Sequence, residues 1–169
     1  MARPRTIPDS TIFDAVITLI RKGGVSAVTF KAVTARTSLS PASLVQRYGN
    51  RDGMIDAALH AGFDALEAAT ARALLSSGSG PQGAHQLLFQ LSRHAGGPGD
   101  LSILHQNFAR PALSERASDW RMRMERELGA RLGDDRQGAV VFAGWQGALL
   151  WSGTGSMVSM RELLDGLVA

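Results

Sequence analysis

The side chains best suited to chemistry lie in one short stretch: Ser40, Ser43, Gln46 and Arg47, with Pro41 and Ala42 among them. On a helix begun by Ser40, the apolar Leu44 and Tyr48 share one face. Pro41, Ala42, Ser43, Gln46 and Arg47 take the other. Small residues near the start of that outward face let it approach a surface closely. The long polar residues further on reach base edges or phosphates. This is the chemistry of recognition rather than of bond making.

Signals for catalysis are missing. The 169 residues include no cysteine, which excludes disulfides, thiolate zinc sites and cysteine nucleophiles. The four histidines (His60, His85, His94 and His105) form no i,i+4 pair and no motif with Asp or Glu. Neither G-x-S-x-G nor H-E-x-x-H occurs. Gly78-Ser79-Gly80-Pro81-Gln82-Gly83 spells G-x-G-x-x-G, but no strand precedes it and Pro81 interrupts it, so a dinucleotide site lacks its context. We expect no enzyme, no cofactor and no metal.

The elements that must hold the 40–48 stretch are helices, because the apolar residues repeat with the helical period. Asp9 or Ser10 can cap a first helix with the stripe Phe13, Val16, Ile17 and Ile20, which Gly23-Gly24 stops. Thr29 can cap a second. Thr37-Ser38-Leu39 reads as a turn, and Ser40 caps a third helix with Pro41 in its first turn. That third helix, ending at Gly49, is too short to stand alone, so Leu39, Leu44 and Tyr48 must pack on the first two. Asn50 caps a fourth helix, to about Leu75. Later helices are expected at about 82–95, 100–108, from Pro111 through the stripe Leu113, Ala117, Trp120, Met124, Leu128 and Leu132, from Asp134-Asp135 to Trp151, and from Ser156 onward. The expected fold is all-α with about nine helices. Residues 1–50 form a helix-turn-helix domain and 51–169 a helical second domain.

The helix ending at Trp151 is apolar all round, which one small core cannot surround. A second copy of the chain would cover it, with Gly144 and Gly147 letting a partner helix come close. The competing reading is the central helix of a monomeric bundle.

Charge is divided unevenly. Residues 1–51 carry eight basic side chains against two acidic ones, and the remainder carries ten against thirteen. A basic first third suits a polyanion, although an Arg-rich solvated surface reads alike. The apolar run from Ala139 to Trp151 is too short to span a membrane, and no signal peptide stands out, so the chain is expected in the cytoplasm.

Several stretches together resemble the tetracycline-repressor (TetR) family of bacterial regulators. They are Ile12-Phe13-Asp14-Ala15-Val16, Gly23-Gly24-Val25, Thr29-Phe30-Lys31-Ala32-Val33, Leu39 to Tyr48 and Asn50-Arg51-Asp52-Gly53-Met54. The match covers about residues 9–63. It departs at Thr37-Ser38, where the family has Ala-Gly; at Ala42, where it has Gly; and at Val45-Gln46-Arg47-Tyr48, where it has Tyr-x-His-Phe.

The resemblance implies a homodimeric repressor reading a palindromic operator in double-stranded DNA. Thr29 and Lys31 would contact phosphate. Ser40, Pro41, Ala42, Ser43 and Gln46 would face the major groove, and Arg47 and Arg51 would bind phosphate. Arg3 and Arg5 would form a minor-groove arm or a plain tail. In the second domain Phe89, His105, Phe108, Trp120, Phe142, Trp145 and Gln146 would line a site for a small hydrophobic effector. Val140, Gly144, Gly147, Trp151, Met160, Leu164 and Leu167 would form the dimer interface. The alternatives are a helical small-molecule-binding protein that has lost specific DNA binding and a purely structural dimer-forming interaction module.

Overall fold

A computed structural model describes residues 7–95, 103, 106–151, 162 and 166. Among them there are seven α-helices, one turn of 3₁₀ helix and no strand. The helices expected at 100–108 and from 156 onward fall largely outside the described residues. No described helix is long and apolar enough to cross a membrane. The chain divides into two compact units, one ending at Ala65 and the other starting at Leu66. A single helix, α4, contributes to both.

The first unit holds α1 (Asp9–Gly23), the 3₁₀ turn (Val25–Ala27), α2 (Phe30–Thr37), α3 (Pro41–Tyr48) and the first part of α4 (Arg51–Ser76). Helix α1 buries Ile12, Ala15, Val16, Leu19 and Ile20, the spacing of one helical face. Val28, Val33, Leu44, Met54, Ile55, Leu59 and Phe63 complete this core. Helix α1 packs on the 3₁₀ turn and α2, and α2 packs on α3.

The ends of these helices are set by local chemistry. Thr29 Oγ1 accepts the Ala32 N–H at 3.0 Å, and Ser40 Oγ accepts that of Ser43 at 3.1 Å, each satisfying an orphan donor of a first turn. Asn50 Oδ1 accepts the Gly53 N–H at 2.8 Å at the start of α4. The expected cap at Asp9 or Ser10 does not form. Pro8 stands at the cap position of α1 without a side-chain bond, and the Asp9 carboxylate is engaged elsewhere. The α2–α3 turn passes through Ser38 at φ 55°, which among the described residues is the one non-glycine with positive φ.

The second unit holds the rest of α4, α5 (Gly80–Ala95), α6 (Pro111–Leu132) and α7 (Asp135–Trp151). Helix α5 begins two residues earlier than the spacing suggested. Gly78 N–H donates to Gln86 Oε1 at 3.2 Å, so the Gly-rich stretch opens a helix instead of forming a nucleotide loop. Helices α6 and α7 form a hairpin through Gly133 at φ 79°. Their backbones approach so closely that a Cβ on Gly138 would lie 2.3 Å from the Glu125 carbonyl oxygen. The expected α6 stripe is buried from Leu113 to Leu128, while Leu132 is only partly covered.

Candidate nucleic-acid interface

The α2–turn–α3 segment presents a polar flank on an apolar anchor. Leu44 is fully buried and fixes α3 from below. Pro41, Ala42, Gln46 and Arg47 are exposed, and Ser43 is half-buried with its hydroxyl 2.9 Å from that of Ser40. Val45, at the position where the resembled family has tyrosine, is 45% exposed. Thr29 and Lys31 are exposed at the start of α2, and Arg36, on its last turn, returns a hydrogen bond to the Ala32 carbonyl at 3.1 Å. All the expected nucleic-acid residues except Arg51 and Ser43 are therefore exposed, on two short helices and the residues that cap them.

The two arginines expected to meet phosphate have partners within the chain. Arg47 Nη1 donates to the Ile7 carbonyl at 2.8 Å and to Asp9 Oδ1 at 3.1 Å. Tyr48 Oη donates to the same Asp9 oxygen at 2.8 Å, and its ring lies 6.0 Å from that of Phe13. Burial, then the hydrogen bond to Asp9 and its charge, push the Tyr48 phenol up to about 12. Arg51 turns inward. Its Nε donates to the Val28 carbonyl at 2.5 Å and its Nη2 to that of Val25, while Nη1 lies 3.3 Å from Asp52 Oδ1. Arg51 thus ties the start of α4 to the backbone just ahead of Thr29. Sequence reasoning missed Asp9 as a partner of α3. The available signal was Asp9 as one of only two acids in a strongly basic segment.

In the second unit the structure brings three of the expected effector residues together. Trp120, Phe142 and Trp145 form a cluster with ring centroids 5.7 to 6.4 Å apart. Trp120 Nε1 donates to Thr70 Oγ1 at 2.9 Å, and Trp145 Nε1 donates to Ser92 Oγ at 2.7 Å. Gln146 is half-buried. Phe89 is 54% exposed, stacked 6.2 Å from His85 and 6.0 Å from the Arg93 guanidinium, and Phe108 is also exposed. His105 lies outside the described residues.

Of the expected dimer residues, Val140 is 47% and Trp151 56% exposed, and Gly144 and Gly147 are half-buried. A Cβ on Gly147 would meet nothing within 4 Å. Met160, Leu164 and Leu167 lie outside the described residues, as do Arg3 and Arg5. Among the described residues no group of three His, Asp or Glu could hold a metal ion.

No family model matches the sequence, and no curated protein does either. Solved structures do match the fold. A TetR-like transcriptional regulator from Rhodococcus sp. RHA1 aligns over 99% of this chain and 96% of its own, at 16% identity and a TM-score of 0.76. A TetR-family transcriptional regulator from Streptomyces coelicolor aligns over 97% and 90%, at 15% identity and a TM-score of 0.74. The multidrug binding protein EbrR, complexed with malachite green, aligns over 98% and 96%, at 20% identity and a TM-score of 0.67. Alignments of nearly full length at such low identity speak for architecture, and the architecture of this chain is that of the TetR-family transcriptional regulators.

Proposed function

We propose that the chain is a transcriptional regulator, most simply a repressor, that binds duplex DNA as a homodimer and is released by a small hydrophobic effector. The observation that carries this reading is the exposed flank of α3, small at Pro41 and Ala42 and long at Gln46 and Arg47, on a helix anchored by the buried Leu44. That flank suits the major groove. Gln46 reads a base edge. Thr29, Lys31 and Arg47 meet phosphates, and Arg51, through the Val25 and Val28 carbonyls, holds the start of α2 where two of those contacts begin. The second copy covers the α7 face of Val140, Gly144, Gly147 and Trp151, joined by Met160, Leu164 and Leu167, and a palindromic operator mirrors the two-fold axis. The effector lodges in the second unit, against the aromatic residues named above; EbrR, of similar fold, is a multidrug binding protein. A chain of this kind works in the cytoplasm.

Duplex binding measured against salt tests the reading. The affinity should fall steeply as salt rises, because phosphate contacts release counterions. Arg47→Ala should weaken binding to all sequences alike and flatten the slope of log affinity against log salt by about 0.9. Gln46→Ala should change sequence preference instead. Binding that is absent, or indifferent to salt, would leave the small-molecule-binding protein or a purely structural dimer-forming module.

A further inference from the structure

Asp9 stands 38 residues before Arg47, yet one of its oxygens receives two consecutive α3 side chains, Arg47 at 3.1 Å and Tyr48 at 2.8 Å. The same Arg47 nitrogen also reaches the Ile7 carbonyl. The last turn of α3 is thereby fastened to the first turn of α1 and to the chain that leads into it. Both of these bonds come from Nη1; Nε and Nη2 take part in neither, and their edge of the guanidinium can meet another acceptor. Phosphate, with its forked oxygens, is such an acceptor.

Resting on the proposed DNA binding, we propose that Asp9 is a positioning residue for phosphate contact. It holds Arg47 in the orientation in which the remaining edge of the guanidinium meets the DNA backbone. An arginine left free loses much rotamer freedom when a phosphate immobilises it, and here that loss is taken at folding instead. Simple charge counting points the other way: Asp9 is a negative group beside a surface that meets a polyanion, so its removal should tighten binding. The two accounts differ in sign, which makes the role testable.

The experiment measures affinity for a short mixed-sequence DNA duplex, with circular dichroism on each variant. Asp9→Ala should bind about three- to tenfold more weakly than the parent chain, despite its extra positive charge. Asp9→Asn, whose Oδ1 still accepts from Arg47 and Tyr48, should restore binding to within about twofold. In an Arg47→Ala background, Asp9→Ala should weaken binding no further, since the residue it positions is gone. Equal or tighter binding by Asp9→Ala overturns the role, as does an equal loss in the Arg47→Ala background. An unfolded Asp9→Ala chain would assign the carboxylate to the fold and overturn it too. If the parent chain binds no duplex, the DNA reading falls first and takes the positioning role with it.

Discussion

Tyr48 is the chain's single tyrosine, and its hydroxyl is fastened to Asp9. Its pKa is raised from 10.0 to about 12, so the folded first unit holds the phenolic proton more tightly than the unfolded chain does. The stabilisation linked to that proton is therefore complete below the unfolded value near 10. It is lost as pH climbs through the folded value near 12. Tyrosinate absorbance should show the titration midpoint displaced upward in the native protein and returned to the ordinary range in urea. Tyr48→Phe should lower stability at neutral pH by about 1 kcal/mol through the lost hydrogen bond, and should remove this share of the alkaline sensitivity. A native titration midpoint at the ordinary value would contradict the bond. Nothing local in the sequence announces this pair. The caps at Thr29, Ser40 and Asn50 were legible because each acts on an N–H three residues ahead. The Asp9 pairing spans 38 and 39 residues, and only folding brings it about.

Helix junctions give the next scale. Between α3 and α4 the chain turns through Gly49 at φ 75° and is capped by Asn50. A Cβ on Gly53 would lie 2.4 Å from the Tyr48 carbonyl oxygen, a backbone atom that cannot swing aside. Alanine favours helix over glycine by about 1 kcal/mol, yet the clash outweighs that gain. Gly53→Ala should therefore destabilise the chain by about 1–3 kcal/mol in urea denaturation, and a stabilised variant would show that the junction opens freely. The helix-turn-helix was legible because caps, Pro41 and the short apolar spacing all favour the same boundaries. Helix α7 was only half legible. Being apolar all round, its period could not say which residues the chain itself would cover. The structure buries Val141, Phe142, Trp145 and Leu149 and leaves Val140 and Leu150 outside. The surroundings of Phe89 were illegible for a related reason: an aromatic suits a cavity wall and an exposed stack with His85 equally well.

At the scale of the molecule, the uncovered side of α7 bears on assembly. Val140, Leu150 and Trp151 expose roughly half of their surface, apolar area that a second chain could cover. The proposed dimer makes a separable prediction because Gly147 has open space before it. A Cβ there meets nothing within 4 Å, so Gly147→Leu should keep its helical content while the mass in sedimentation equilibrium shifts from dimer toward monomer. An unchanged dimer would remove this face from the interface. Collapse of the fold would mean that α7 packs more tightly than the open space at Gly147 allows.

The placement of the aromatic residues has one more consequence. The single tyrosine belongs to the unit that ends at Ala65, and all three tryptophans, Trp120, Trp145 and Trp151, follow Leu66. Indole emission therefore reports on the second unit alone. Trp120 and Trp145, dry and each bonded to a hydroxyl, should emit toward the blue until that unit melts. The natural chromophores thus label the two halves separately, and one denaturation series followed at both wavelengths would show, without any added dye, whether the first unit and the rest of the chain unfold together or in turn.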